Sequence, residues 1–361
     1  MKENKPMKKA LSLILALVMC LALAACGGNG STDPGAAPSE SANASDSGAA
    51  PMPPAEPAQT ETPAASAAYT VGICQLVQHD ALDAATQGFR DALTEALGDA
   101  VTFDEQNAQG DPTTCSTIVT GFVANDYDLI MANATPALQA AVAATNSIPI
   151  LGTSVTDYAT ALAMDIDASQ GTGINVAGSS DGVPGQLYAD LLLELVPGAK
   201  NVSILYCSAE ANSVVQADDF IAAMEAANPD VACSTFTFAD SNDIQSVVTA
   251  AIEGCDALYI PTDNQAASNM TIINNVCQPA NVPIICGEEN MCANGGLATV
   301  SISYYDIGRV CGEQAVAILR DGADVSTMPI AYASDPVKEY NADYAAAIGF
   351  TMPEGFAPIG G

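Results

Sequence analysis

Basic side chains are almost missing from this sequence. Nine Lys and Arg stand against 42 Asp and Glu, for a formal net charge of −33. Four of the nine (Lys2, Lys5, Lys8 and Lys9) fall at the amino terminus, leaving Arg90, Lys200, Arg309, Arg320 and Lys338 for the rest. Phosphate recognition needs clustered cations, so nucleic acid is excluded as a partner of the body of the chain. Histidine is scarcer still, with His79 alone. A Cys/His metal centre is starved of ligands. A hydrolase would have to use His79, which is followed by Asp80 with no recognisable serine elbow. No Gly-rich loop carries the lysine of a phosphate cradle. The expectation is no enzyme, no metal and no cofactor.

Close cysteine pairs are lacking too. Of 11 cysteines, Cys20 and Cys26 lie near the amino terminus, and no two of the others have CxxC spacing. Most of these sit in apolar runs such as "VGICQL" and "VPIICG", and read as small buried hydrophobes in a reducing habitat.

What is present begins with a leader. Lysines precede the apolar run Ala10–Ala25, which is short and wrongly flanked for a membrane span and ends in Leu23-Ala24-Ala25-Cys26. Small residues before a cysteine resemble a bacterial lipobox. Residues 1–25 then form a lipoprotein signal peptide, with Cys26 the lipidated first residue of an exported, membrane-anchored chain. Residues 26–68 are Gly, Ala, Ser, Pro and acidic residues, too poor in apolar surface to offset ordering entropy, and read as a disordered tether.

From Tyr69 the pattern alternates between short apolar runs and amphipathic stretches. Strands are expected at 69–77, 100–108, 127–133 and 148–153, with helices at 80–98, 111–125 and 135–145. The alternation restarts with a helix at 183–198. Strands at 201–207, 231–238, 257–261 and 282–287 then alternate with helices at 212–229, 241–254 and 264–280. The restart repeats detail. "YDLIMANATPALQ" and "CDALYIPTDNQAA" each place an Asp before an apolar strand, a polar turn and a helix, and each leads to "IPI" or "VPI" and a glycine. The fold class is α/β, two similar parallel-sheet lobes with a hinge and an interlobe cleft. Ligands of parallel sheets sit beyond the carboxyl ends of the strands, so the equivalent loops of both lobes line one space.

The strings "QHDALDAATQGF", "SSDGVP", "EANSVVQ", "YIPTDN", "GGLATVSISYYDIG" and "KEYNADYAAAIGFTMPE" carry a resemblance that spans Tyr69 to Gly355. The chain resembles the substrate-binding lipoproteins of ABC transporters, in the branch labelled tryptophan/tyrosine transport. The resemblance implies a type I periplasmic-binding fold with three interlobe crossings, near Ser179–Asp181, Val300–Tyr304 and Ala331–Pro336. One lobe then covers 69–180 with about 303–331, the other 181–302 with about 335–361. It also implies a monomer that delivers a small amino-acid-like ligand, aromatic or branched, to ABC permease subunits at the extracytoplasmic face. A sensor that presents its closed form to a membrane signalling receptor is the alternative.

An amino acid's ammonium needs a carboxylate and its carboxylate needs donors. None of the five remaining basic residues lies in a cleft loop, so helix amino termini and hydroxyls must donate. Thr135, Thr153, Ser154 and Ser208 are placed for that. Asp263, Glu288, Glu289 and Glu210 are candidates for the ammonium, Gln78, Asn212 and Asn264 for directional hydrogen bonds, and His79 for a wall or polar tip of the pocket. Tyr158, Tyr206 and Tyr304 lie beside the loops. Each has a plainer reading: Asp263 and Thr135 as helix starts, Glu288 and Glu289 as a solvated turn, and Tyr206 and Tyr259 as core.

Overall fold

The fully buried strands set the architecture. Runs such as "LIMAN", "ALYI" and "IIC" are buried at every position, the signature of parallel strands covered on both faces. The computed structural model describes residues 69–332 and 335–360, so the expected signal peptide (1–25), the expected lipidation site Cys26 and the expected tether (26–68) lie outside the described residues.

The first lobe opens β1 (Tyr69–Gln75), α1 (Asp80–Leu97), β2 (Val101–Asn107), α2 (Pro112–Ala124), β3 (Leu129–Asn133), α3 (Thr135–Ala144), β4 (Ile150–Thr153), α4 (Tyr158–Leu162) and β5 (Val176–Ser180). The second continues α5 (Gly185–Leu195), β6 (Asn201–Cys207), α6 (Ala211–Ala227), β7 (Ala232–Phe238), α7 (Ile244–Ala251), β8 (Ala257–Ile260), α8 (Asn264–Ser268), α9 (Met270–Cys277), β9 (Ile284–Cys286), α10 (Glu289–Ala293) and β10 (Ala298–Ser301). The chain then returns to the first lobe with α11 (Tyr304–Asp321) and β11 (Ile330–Tyr332). It ends in the second with β12 (Val337–Tyr340), α12 (Ala342–Ala347) and β13 (Ala357–Pro358).

The strand orders are β11-β5-β4-β3-β1-β2 and β13-β12-β10-β9-β8-β6-β7. The first sheet is wholly parallel; in the second, β12 runs antiparallel to β10. The chain therefore passes between lobes three times: from Ser180 to Gly185, from Ser301 to Tyr304, and from Tyr332 to Val337.

In the first lobe, alternate residues of one strand serve opposite faces. Val71 and Ile73 join one apolar cluster with Leu129 and Met131, while Cys74 joins another with Ile130 and Ala132. One continuous cluster fills the second lobe. All nine cysteines of the described residues are free, seven of them buried.

Helix α11 docks on α1 through glycines. A Cβ on Gly308 would overlap the Ala85 carbonyl, and one on Gly88 the Tyr305 carbonyl, so the two backbones touch. That close crossing fixes where α11 begins, and so where Tyr304 stands.

Candidate functional site

The carboxyl ends of β1, β4 and β5 face those of β8 and β9 across the seam between the lobes. His79, Ser154, Asp181 and Tyr304 meet Thr262, Asp263, Asn264, Ala267, Glu288 and Met291 around an enclosed hollow. Among these groups the centre of a water molecule has only about 10 Å³ of freedom. Five hydrogen bonds hold the seam shut around it. His79 Nε2 lies 3.1 Å from Asn264 Oδ1, and Gln265 Nε2 donates to the Gly110 carbonyl at 3.0 Å. Asn294 Nδ2 donates to Asp80 Oδ2 at 3.1 Å, Gln216 Nε2 to Thr156 Oγ1 at 3.4 Å, and Thr156 Oγ1 lies 3.4 Å from Thr262 Oγ1.

Several polar atoms of the seam are buried without a protein partner: Ser154 Oγ, Thr135 Oγ1 and His79 Nδ1 from the first lobe, and Asn212 Oδ1 from the second. Orphaned buried polar atoms are costly and uncommon. Backbone strain is gathered at the same strand ends. Ser154 (φ 54°) and Ala134 (φ 90°) are non-glycine residues with positive φ, directly after β4 and β3.

Four carboxylates are buried here, Asp181, Glu210, Asp263 and Glu288, each no more than 4% exposed. None has a cation. The four ion pairs among the described residues are all between partly exposed side chains away from the seam. Burial raises the pKa of all four. It pushes Glu288 up to about 8; burial and the neighbouring Asp263 charge push Glu210 to about 8 as well. Burial acts on His79 in the opposite sense and lowers its pKa, only partly offset by the bond to Asn264.

Asp263, in the stretch "YIPTDN", is a helix cap. Its Oδ1 accepts from Ala266 N at 2.8 Å, and its Oδ2 from Cys207 N and Ser213 Oγ, both at 2.7 Å. It ties β6, α6 and α8 together while forming part of the hollow's wall. Glu288 caps α10 through Asn290 N and Met291 N. Glu210 accepts from Gln265 N at 2.9 Å and from Asn264 Nδ2 at 2.6 Å. Asn264 thus links Glu210 to His79.

A second pocket, of about 320 Å³, opens on the same seam, lined by Leu76, Gln109–Pro112, Pro136, Cys207, Ala209, Glu210, Ala239–Ser241 and Gln265. It is the larger space, yet its Asp111, Asp240 and Ser241 are exposed and already in water. The inner hollow is where desolvated polar groups of both lobes converge.

A family model described as ABC transporter substrate binding protein matches residues 70–357. The chain belongs to that family. Its similarity to the Tyrosine-binding protein of Clostridioides difficile (strain R20291) is 36% identity over 264 residues, covering 72% of this chain and 75% of that protein. A solved structure from Streptococcus pneumonia in complex with L-Trp is 33% identical, with a TM-score of 0.75 over 79% of this chain and 96% of the other. A ligand-free, open structure of a substrate binding protein with adhesive properties from Clostridium difficile is 35% identical, with a TM-score of 0.61 over 81% and 99%. These relatives bind solutes and are not enzymes, and neither is this substrate-binding protein.

Of the residues expected from sequence, the substrate-binding protein brings His79, Ser154, Asp263, Asn264 and Glu288 to the hollow. Glu210 and Asn212 stand behind it in the second lobe, with Asn212 Nδ2 donating to the Thr262 carbonyl. Thr135 is buried nearby at the start of α3 and does not line it. Three others stand off the hollow: Gln78 is exposed on the loop after β1, Ser208 is exposed and donates to the Phe238 carbonyl, and Glu289 lies in the first helical turn beside Glu288. Thr153 is spent inside the first lobe, 3.0 Å from Ser179 Oγ. Tyr158 is likewise structural, its hydroxyl donating to the Gly152 and Ser179 carbonyls.

Sequence reading missed Asp181, Thr156, Thr262 and Gln216. The visible signal for Asp181 was an acid alone among small residues in "SSDGVP". Nothing in the sequence joins Gln216, in mid-helix, to Thr262, whose N–H donates to Gln216 Oε1 at 2.7 Å.

Proposed function

We propose that the chain is the lipid-anchored, extracytoplasmic receptor of an ABC importer and that its solute is an aromatic amino acid, bound between lobes that open and close. One observation carries the reading: buried carboxylates without cations and buried hydroxyls without partners meet at a single seam. A zwitterion is complementary to that set. Its ammonium offers a buried carboxylate the cationic partner that the protein does not supply, and its carboxylate accepts from the idle hydroxyls.

The aromatic side chain is supported by the relatives named for tyrosine and solved with L-Trp. The outer pocket, separated from the hollow by the chain Glu210–Asn264–His79, offers Leu76, Pro112, Pro136 and Ala209 to a ring. Lobe movement is supported by comparison of two relatives. At nearly equal identity, this structure matches the L-Trp complex at a TM-score of 0.75 and the open, ligand-free structure at 0.61. The position of the lipobox before a polar tether supports the anchor, and the family supports ABC permease subunits as the partner.

Isothermal titration of the purified chain against the twenty amino acids tests the reading. L-Tyrosine or L-tryptophan should bind in the micromolar range or tighter and raise the unfolding temperature, with about 4 kcal/mol of stabilisation at a thousand times Kd. Failure of every amino acid to bind would end the amino-acid reading.

A further inference from the structure

We infer that Asp181 is the acceptor of the ligand's ammonium, and that this contact couples the ligand directly to the hinge. The inference rests on the amino-acid reading above and selects among the buried carboxylates by counting what each already does. A carboxylate offers about four acceptor positions. Asp263 accepts from two backbone N–H groups and a serine hydroxyl, Glu288 from two backbone N–H groups, and Glu210 from two backbone N–H groups and the side-chain amides of Asn264 and Asn212. Each of those three fixes a helix start of the second lobe, and drawing it toward a ligand would release backbone donors in a dry interior.

Asp181 is different. It is 4% exposed and lines the hollow, yet its side chain accepts only from two hydroxyls, Thr156 Oγ1 at 3.0 Å and Tyr304 OH at 2.8 Å. Hydroxyls reorient about their C–O bonds, so they hold an acceptor in place without committing its remaining lone pairs. Ser154, whose unpartnered Oγ is an available donor, lines the same hollow.

Its place in the chain adds the mechanical part. Asp181 is the first residue of the first crossing, and Tyr304 is the first residue of α11, directly after the second. The bond between them therefore spans two of the three hinge strands. An ammonium on Asp181 adds a charge to that bond and pulls on both strands at once. The second-lobe groups Thr262 and Asn264 close on the opposite side of the hollow.

The test is titration of the full chain and its variants with L-tyrosine and with 3-(4-hydroxyphenyl)propionate, the same molecule without its amino group, and likewise with L-tryptophan and 3-(indol-3-yl)propionate. In the unmodified protein, loss of the amino group should weaken binding about 100-fold, as for one partner of a buried charged pair. Asp181→Asn should weaken the amino acid by a similar factor and leave the desamino acid within about threefold, so that the discrimination disappears. Tyr304→Phe keeps the ring and should weaken the amino acid about tenfold while sparing the analogue; it decides the matter if Asp181→Asn does not fold. Discrimination that survives in these variants overturns the assignment to Asp181 while leaving the amino-acid reading intact. No binding of any amino acid by the unmodified protein removes the reading beneath it.

Discussion

His79 and Asn264 stand on different lobes, and the 3.1 Å contact between His79 Nε2 and Asn264 Oδ1 closes the seam beside the hollow. The amide oxygen fixes the ring's tautomer, with the proton on Nε2 and Nδ1 left as an acceptor. The chain's one histidine is thus spent as a strut between lobes. Asn264→Ala removes this strut and the amide that Glu210 holds. Ligand affinity should fall about tenfold. Small-angle scattering of the unliganded variant should show a larger radius of gyration than the parent; an unchanged radius would sink the strut.

Stability should depend on pH in an unusual direction. Glu210 and Glu288 are raised from 4.5 to about 8 by burial, so the folded chain holds protons that the unfolded chain releases. Their contribution is fully present below pH 4.5 and is lost as pH rises through about 8. His79, lowered from 6.5, opposes them only below that value, where its contribution is lost as pH falls. Two carboxyls outweigh one imidazole. The unfolding temperature should rise from pH 8 toward pH 5, and Glu288→Gln should flatten the slope.

Asp263→Ala should act on the fold before it acts on binding. Ala266 N loses its cap, and Cys207 N and Ser213 Oγ lose their acceptor in a dry interior. The expected loss is about 3 kcal/mol in urea unfolding. A variant with parental stability and abolished binding would make Asp263 a ligand contact first.

At the α1–α11 crossing, Gly308→Val drives a side chain into the Ala85 carbonyl. The helices must part, at about 3 kcal/mol. Because Tyr304 begins α11, its bond to Asp181 should loosen, and ligand binding should weaken along with the unfolding temperature. The same substitution at Gly121, where a Cβ meets nothing within 4 Å, should lose much less.

The anchor is tested separately. Expressed in a bacterial host and fed an alkyne-bearing fatty acid, the chain should incorporate label, and Cys26→Ser should abolish it. Label that persists in the variant would place the lipid elsewhere.

The two-lobe plan was legible because buried parallel strands leave apolar runs and each helix between them carries its own start and stop. β5 and β12 escaped notice. "VAGSS" is a strand built of small residues, and "VKEY" is a polar strand with no fully buried position. The single helix expected over 264–280 is two, α8 and α9, broken at Asn269 whose φ of −121° leaves the helical region. The site was less legible than the fold. Polar residues after strands could be marked as a set, but capping and ligand contact use the same residue types. Only the bonds distinguish Asp263, with its oxygens committed to α8, β6 and α6, from Asp181, held by two hydroxyls.

The first lobe's apolar cluster joins Val71, Ile73, Phe89 and Leu93 to Cys311, Ala315, Val316 and Val325. About two hundred residues separate those two groups along the chain. A polypeptide emerging amino end first must therefore leave its opening segment unfinished until nearly all of it has appeared, while the second lobe assembles largely from one uninterrupted stretch. The half made first is completed last. Such a schedule keeps the chain threadable through a narrow pore, as the export proposed for it requires.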